Sequence, residues 1–141
     1  MEMFRPVALD RGGLAGWGLS AALVCPLEGG GLAGRRLAGL GARVTLWAGL
    51  DAALEAVLRG EAGCDLLMVD CDHAGGMALA VQGYRRLRAA GICLPVMLVS
   101  STCKEQIFPV RLAGPFHLRA PVSAVALQIG LELAFAPPVR D

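Results

Sequence analysis

Asp70, Asp72 and His73 put two carboxylates and an imidazole within four residues, directly after the apolar run Leu66-Leu67-Met68-Val69. Hard oxygen donors with a nitrogen beside them suit a divalent cation, because magnesium and similar ions take carboxylate, carbonyl and water oxygens. Asp70, Asp72 and His73 are the candidate ligands of such a site. A second reading needs no metal. An Asp that closes a strand caps the turn after it, its carboxylate accepting from nearby backbone N–H groups.

Other reactive side chains are scattered. A later apolar run, Leu94–Val99, ends in Ser100, and His117 sits between Phe116 and Leu118. No nucleophile–base arrangement emerges around His73 or His117. The five cysteines, Cys25, Cys64, Cys71, Cys93 and Cys103, are odd in number and contain no CxxC pair. That argues against a disulfide scaffold or zinc ribbon and for free thiols in a reducing compartment. Cys71 adjoins Asp70, yet nothing near it in sequence lowers a thiol pKa. Gly29, Gly31 and Gly34 spell GxGxxG in a chain with 19 glycines. A dinucleotide site also wants an acid after the next strand, where the sequence is Leu46-Trp47-Ala48, so the glycines read as a flexible loop.

The elements that must position these residues alternate along the chain. Strands are expected at Leu19–Cys25, Arg43–Ala48, Asp65–Asp70, Leu94–Ser100 and Phe116–Leu118. Helices are expected at Leu32–Leu40, with Arg35 and Arg36 outward, and at Asp51–Glu61, with Asp51 as N-cap. Met77–Ala90 reads as a helix burying Ala80, Val81, Tyr84 and Leu87, and Val122–Phe135 as a last helix stopped by Pro137-Pro138. Lys104–Ala113 makes a poor helix, because Pro109 removes a donor mid-run. Short, continuously apolar strands imply a parallel sheet covered on both faces. Right-handed crossovers then give an α/β, doubly wound, flavodoxin-like sheet of five strands in the order 2-1-3-4-5. Its site belongs at the carboxyl ends of the strands, at Cys25, Asp70, Ser100 and Leu118. One domain spanning 19–136 is expected, with an N-terminal extension at 1–18 and a tail at 137–141.

Three segments, Cys64-Asp65-Leu66-Leu67-Met68-Val69-Asp70, Leu94-Pro95-Val96-Met97-Leu98-Val99-Ser100-Ser101 and Phe116-His117-Leu118-Arg119-Ala120-Pro121, fall in order and at spacing that resemble the receiver domains of bacterial response regulators. The resemblance covers roughly residues 19–136. It implies Asp70 as the phosphoacceptor equivalent, with Ser100 and His117 as the switch equivalents. It also shows departures. Receivers hold Mg²⁺ with an acidic pair just after the first strand, and here that segment is Val24-Cys25-Pro26-Leu27. They neutralise the phosphoryl group with a fifth-strand lysine, and Ala120 stands there. The only lysine, Lys104, belongs to the segment after the fourth strand. The implied function is a degenerate receiver, or pseudo-receiver, acting by protein–protein interaction without phosphorylation, catalysis or cofactor. The alternatives are a receiver weakly phosphorylated on Asp70, with Glu28, the only acid between Asp10 and Asp51, or Asp72 as partial Mg²⁺ ligands, and a small flavodoxin-like enzyme or nucleotide binder.

Bulk properties narrow the partners. A net charge of +1 gives no strong pull toward nucleic acid or anionic membrane. The apolar stretches Leu19–Leu27 and Val122–Phe135 are shorter than the roughly 20 residues that span a bilayer. A cytoplasmic protein is expected. The last helix is apolar nearly all round, with only Ser123, Gln128 and Glu132 polar. Such a helix is covered on both sides, which predicts a homodimer interface through Val125, Leu127, Leu131 and Phe135. The alternative cover is the extension, with Phe4 and Trp17.

Overall fold

Runs of small and branched apolar residues become five strands, β1 Ser20–Val24, β2 Arg43–Trp47, β3 Leu66–Asp70, β4 Val96–Ser100 and β5 Phe116–Arg119. All neighbours pair in parallel, in the order β2-β1-β3-β4-β5. The computed structural model describes residues 15–26, 31–110 and 113–136. Four helices are present among them: α1 Gly31–Gly39, α2 Leu50–Leu58, α3 Met77–Ala89 and α4 Ala124–Ala134.

Successive side chains on a strand point to opposite faces, and the sheet divides its apolar residues accordingly. Leu23, Met68, Met97 and Phe116 join Leu37 of α1 and Leu127 and Leu131 of α4 in one core layer. Val24, Leu67, Val69 and Leu98 join Leu54 of α2 and Ala80 and Leu87 of α3 in the other. Burial on both faces is why these strands read as unbroken apolar runs. Gly130 lets α4 lie close to the sheet, since a Cβ there would stand 3.0 Å from the Met97 methyl.

Several expectations need correction. Asp51 lies in the first turn of α2 rather than capping it; the N-cap is Gly49, which makes no side-chain cap bond. A carboxylate in that turn still favours the positive end of the helix dipole. Arg36 is half-buried, unlike exposed Arg35, and its Nε has no hydrogen-bond partner.

The segment after β4 forms no helix over residues 101–110. Ile107 instead forms an antiparallel bridge to His117, with N–H···O distances of 2.9 and 3.0 Å. Arg119 ties the segment down further. Its backbone N–H donates to Gln106 Oε1 at 2.9 Å, its Nε donates to the Cys103 carbonyl at 3.1 Å, and its Nη2 donates to the Lys104 carbonyl. Backbone groups a helix would have used are therefore spent on β5, and Pro109 has no N–H to give.

The face of α4 also differs. Leu127 and Leu131 have no exposed surface, and half-buried Phe135 packs against the first core layer. They belong to the core, not to an interface. The outer side carries Val125, Ile129 and Leu133, exposed by 68%, 42% and 48%. Trp17 does not cover them, being 75% exposed itself, and Phe4 lies outside the described residues. Residues 15–18 do pack on the domain: Ala15 touches the first core layer and the Gly16 N–H donates to the Leu40 carbonyl at 2.8 Å. Among the described residues no helix is long and apolar enough to cross a membrane.

Candidate functional site

The carboxyl ends of β1, β3, β4 and β5 meet at a cavity of about 340 Å³. β3 delivers Asp70, and the turn after it delivers Asp72. β1 delivers Cys25, and the chain after β5 delivers Ala120, Pro121 and Val122. The Ala120–Pro121 peptide is cis. Leu32 and Ala33 of α1 close the opposite wall.

Each candidate residue has a definite local role. Half-buried Asp70 organises the following turn: its carbonyl accepts from the His73 and Ala74 N–H groups at 3.1 and 3.0 Å, and its Oδ1 accepts weakly from the His73 N–H at 3.4 Å. Exposed Asp72 reaches across to β4. Its Oδ1 and Oδ2 accept from the Ser101 N–H at 3.3 and 3.1 Å, and its Oδ1 accepts from the Ser100 hydroxyl at 3.4 Å. Ser100 is 2% exposed; its Oγ lies 2.8 Å from the Thr102 hydroxyl and accepts from the Thr102 N–H at 3.1 Å. The His73 Nε2 lies 2.8 Å from the Ala48 carbonyl, so that nitrogen carries the proton and donates.

The three residues that sequence put side by side therefore separate. Asp70 and Asp72 share the cavity, while His73 engages the end of β2. Among the described residues no group of three or more His, Cys, Asp or Glu converges into a set able to hold a metal ion. Glu28 lies outside the described residues, as does Gly29 of the glycine pattern. Gly31 opens α1 at a φ of +59°, and Gly34 is buried in it.

The electrostatics at the site are one-sided. Among the described residues no Lys, Arg or His lines the cavity. Burial, and then the nearby Asp70 carboxylate, push the Cys25 thiol pKa up. Cys71 is pushed up to about 12 by burial and by Asp70 and Asp72. Neither is a thiolate at neutral pH, which disfavours thiol redox chemistry at either residue.

His117 stands beyond the cavity, half-buried on the face of β5 opposite Phe116 and Leu118. Burial lowers its pKa below 6.5. Its neutral form is therefore favoured by folding, and stability present above pH 6.5 falls as pH drops through the folded pKa. Urea titrations from pH 7.5 down to 5 should show that decline, and His117→Asn should remove its share. An unchanged slope in the variant would contradict the assignment.

The cavity walls Leu32, Ala33 and Val122 were not singled out from sequence. The one signal available was position at strand ends, which marked Cys25 and Asp70 but says nothing about the helix that closes the crevice.

No family model matches the chain, and no curated protein does. Solved structures do. The receiver domain of a Francisella response regulator, 1452, superposes with a TM-score of 0.61 at 15% identity, covering 81% of this chain and 93% of that one. A CheY-like response regulator receiver domain from Methylobacillus flagellatus gives a TM-score of 0.58 at 20% identity, covering 81% and 96%. Strand order and parallel pairing agree with both comparisons: this chain has the fold of a response-regulator receiver domain.

Proposed function

We propose that the chain is a pseudo-receiver: a cytoplasmic signalling module that works by binding protein partners and neither turns over a substrate nor depends on phosphorylation. The observation that supports this most strongly is the lining of the cavity beside Asp70. Ala120 and Pro121 stand where a cation would have to meet a phosphoryl group, and no basic side chain among the described residues lines the walls. Phosphoryl transfer is carried almost wholly by positioning and by cations that neutralise developing charge. A phosphoryl group on Asp70 would instead face the Asp72 carboxylate across an apolar wall. The same unneutralised carboxylates disfavour nucleotide and flavin phosphates, which speaks against the flavodoxin-like alternative. All five cysteines are free thiols, in keeping with a reducing compartment.

The partner surface in this reading is the outer side of α4. Val125, Ile129 and Leu133 lie at spacings of four, so they form one apolar stripe. Its occupant in our reading is a second copy related by a two-fold axis, the commonest arrangement for soluble oligomers.

The test of phosphorylation independence is direct. Incubation with acetyl phosphate and Mg²⁺ should leave the intact mass unchanged. An adduct of one phosphoryl group that disappears in Asp70→Asn would overturn the reading and favour a weakly phosphorylated receiver.

A further inference from the structure

We propose that the cavity between β1, β3 and β5 binds a small organic ammonium ion, its charge between Asp70 and Asp72 and its apolar body against Leu32, Pro121 and Val122. The volume, about 340 Å³, is within the range of small-molecule sites, which are mostly apolar with a few convergent polar groups. This cavity follows that pattern. Its walls are chiefly aliphatic, and its polar groups are two carboxylates and the Cys25 thiol.

Three observations select the ligand class. First, both carboxylates are acceptors only, and among the described residues no cationic side chain lines the space they face. Low-dielectric walls strengthen the resulting negative potential, so the space favours a cation and rejects an anion. Second, Cys25 is 3% exposed, lines the cavity and has no hydrogen-bond partner for its sulfur among the described residues; Asp70 already acts on its pKa. A weak, unpartnered sulfur acceptor suits an N–H donor better than a hydrated metal. Third, Asp72 already accepts from Ser101 and Ser100, and no third acid or imidazole converges with the pair among the described residues. Magnesium would keep most of its water there and gain nothing from the aliphatic walls. An ammonium group on a ring or short chain uses both halves of the site. Arg119, the basic residue adjoining Ala120, cannot supply the charge from within, because its guanidinium is held by the Cys103 and Lys104 carbonyls.

Cyclohexylammonium is a suitable probe, with cyclohexanol and cyclohexanecarboxylate as the neutral and anionic counterparts. Amide chemical shifts at Cys25, Asp70 and Ala120 report occupancy. The amine should shift them saturably, the alcohol should bind about tenfold more weakly or worse, and the carboxylate should leave them unmoved. Asp70→Asn, which keeps the side-chain shape and its turn bond, should weaken the amine about tenfold. Ala120→Lys should abolish amine binding by placing an ammonium inside the cavity, and Ala120→Met should abolish it by filling the space. Equal binding of amine and alcohol, wild-type affinity in Ala120→Lys, or shifts produced by Mg²⁺ alone with none from the amine would each overturn the proposal.

Discussion

Leu127→Glu and Leu131→Glu are each expected to abolish folding, while Val125→Glu on the same helix should leave the melting temperature within a few degrees of the parent. The two leucines have no exposed surface and pack in the core layer with Met97 and Phe116. Truncating such a residue to Ala alone costs about 2–5 kcal/mol. A buried carboxylate with no partner adds a desolvation penalty on top. Against a total stability of about 5–15 kcal/mol, that leaves little folded protein. Val125 is 68% exposed, and exposed substitutions usually stay within about 0.5 kcal/mol. Circular dichroism melts separate the two classes, and folded Leu127→Glu protein would contradict the packing. Val125→Glu then probes assembly as well. Light scattering at micromolar concentration should find the parent dimeric and this variant monomeric; a monomeric parent would remove the homodimer reading.

The reason the sequence reading put Leu127 and Leu131 outside the core is physical. Hydrophobic periodicity fixes which side of a helix faces the core only when the other side is polar. In α4 only Ser123, Gln128 and Glu132 break the apolar pattern, so the rotation of the helix was undetermined. Gly130 held the missing information, because a glycine inside an apolar helix marks close approach to a neighbour, here to Met97. Sheet order and strand positions were legible for the opposite reason. β1, β3 and β4 are buried on both faces, turns punctuate all five strands, and parallel crossovers leave few topologies.

The site was half legible. Strand ends located Asp70 and Cys25 at the crevice, whereas Ser100 and Leu118, the other two expected there, do not line it. What each side chain does depends on neighbours far away in sequence. Asp72 bonds Ser101, 29 residues away, and His73 bonds Ala48, 25 residues away. No local pattern announces such pairs, so Asp70, Asp72 and His73 read as a single cluster until the chain was folded. The segment after β4 failed in the same way. Its weak helical pattern lost to tertiary bonds from Arg119 and the bridge at Ile107.

Phe116→Ala should expose that dependence with a loss of about 3–5 kcal/mol, the usual cost of emptying a large aromatic site in a core. Phe116 is wholly buried in the first core layer, and its ring meets Phe108 edge-to-face with centroids 6.3 Å apart. Phe108 belongs to the irregular segment, so this aromatic pair is its apolar anchor to the sheet, alongside the polar anchors from Arg119. Removing Phe116 therefore does two things at once: it leaves a cavity under α4 and frees Phe108. Arg119→Ala should do only the second kind of damage. It removes two side-chain bonds from an exposed guanidinium, and solvent screening reduces their worth to about 1–2 kcal/mol. Hydrogen exchange distinguishes the effects. In Arg119→Ala the amides of Ile107 and His117, which form the bridge, should lose protection while Val99 and Met68 keep theirs. In Phe116→Ala protection should fall in all four, because the sheet itself is weakened. Unchanged exchange at Ile107 in both variants would mean that the segment after β4 holds its shape without β5.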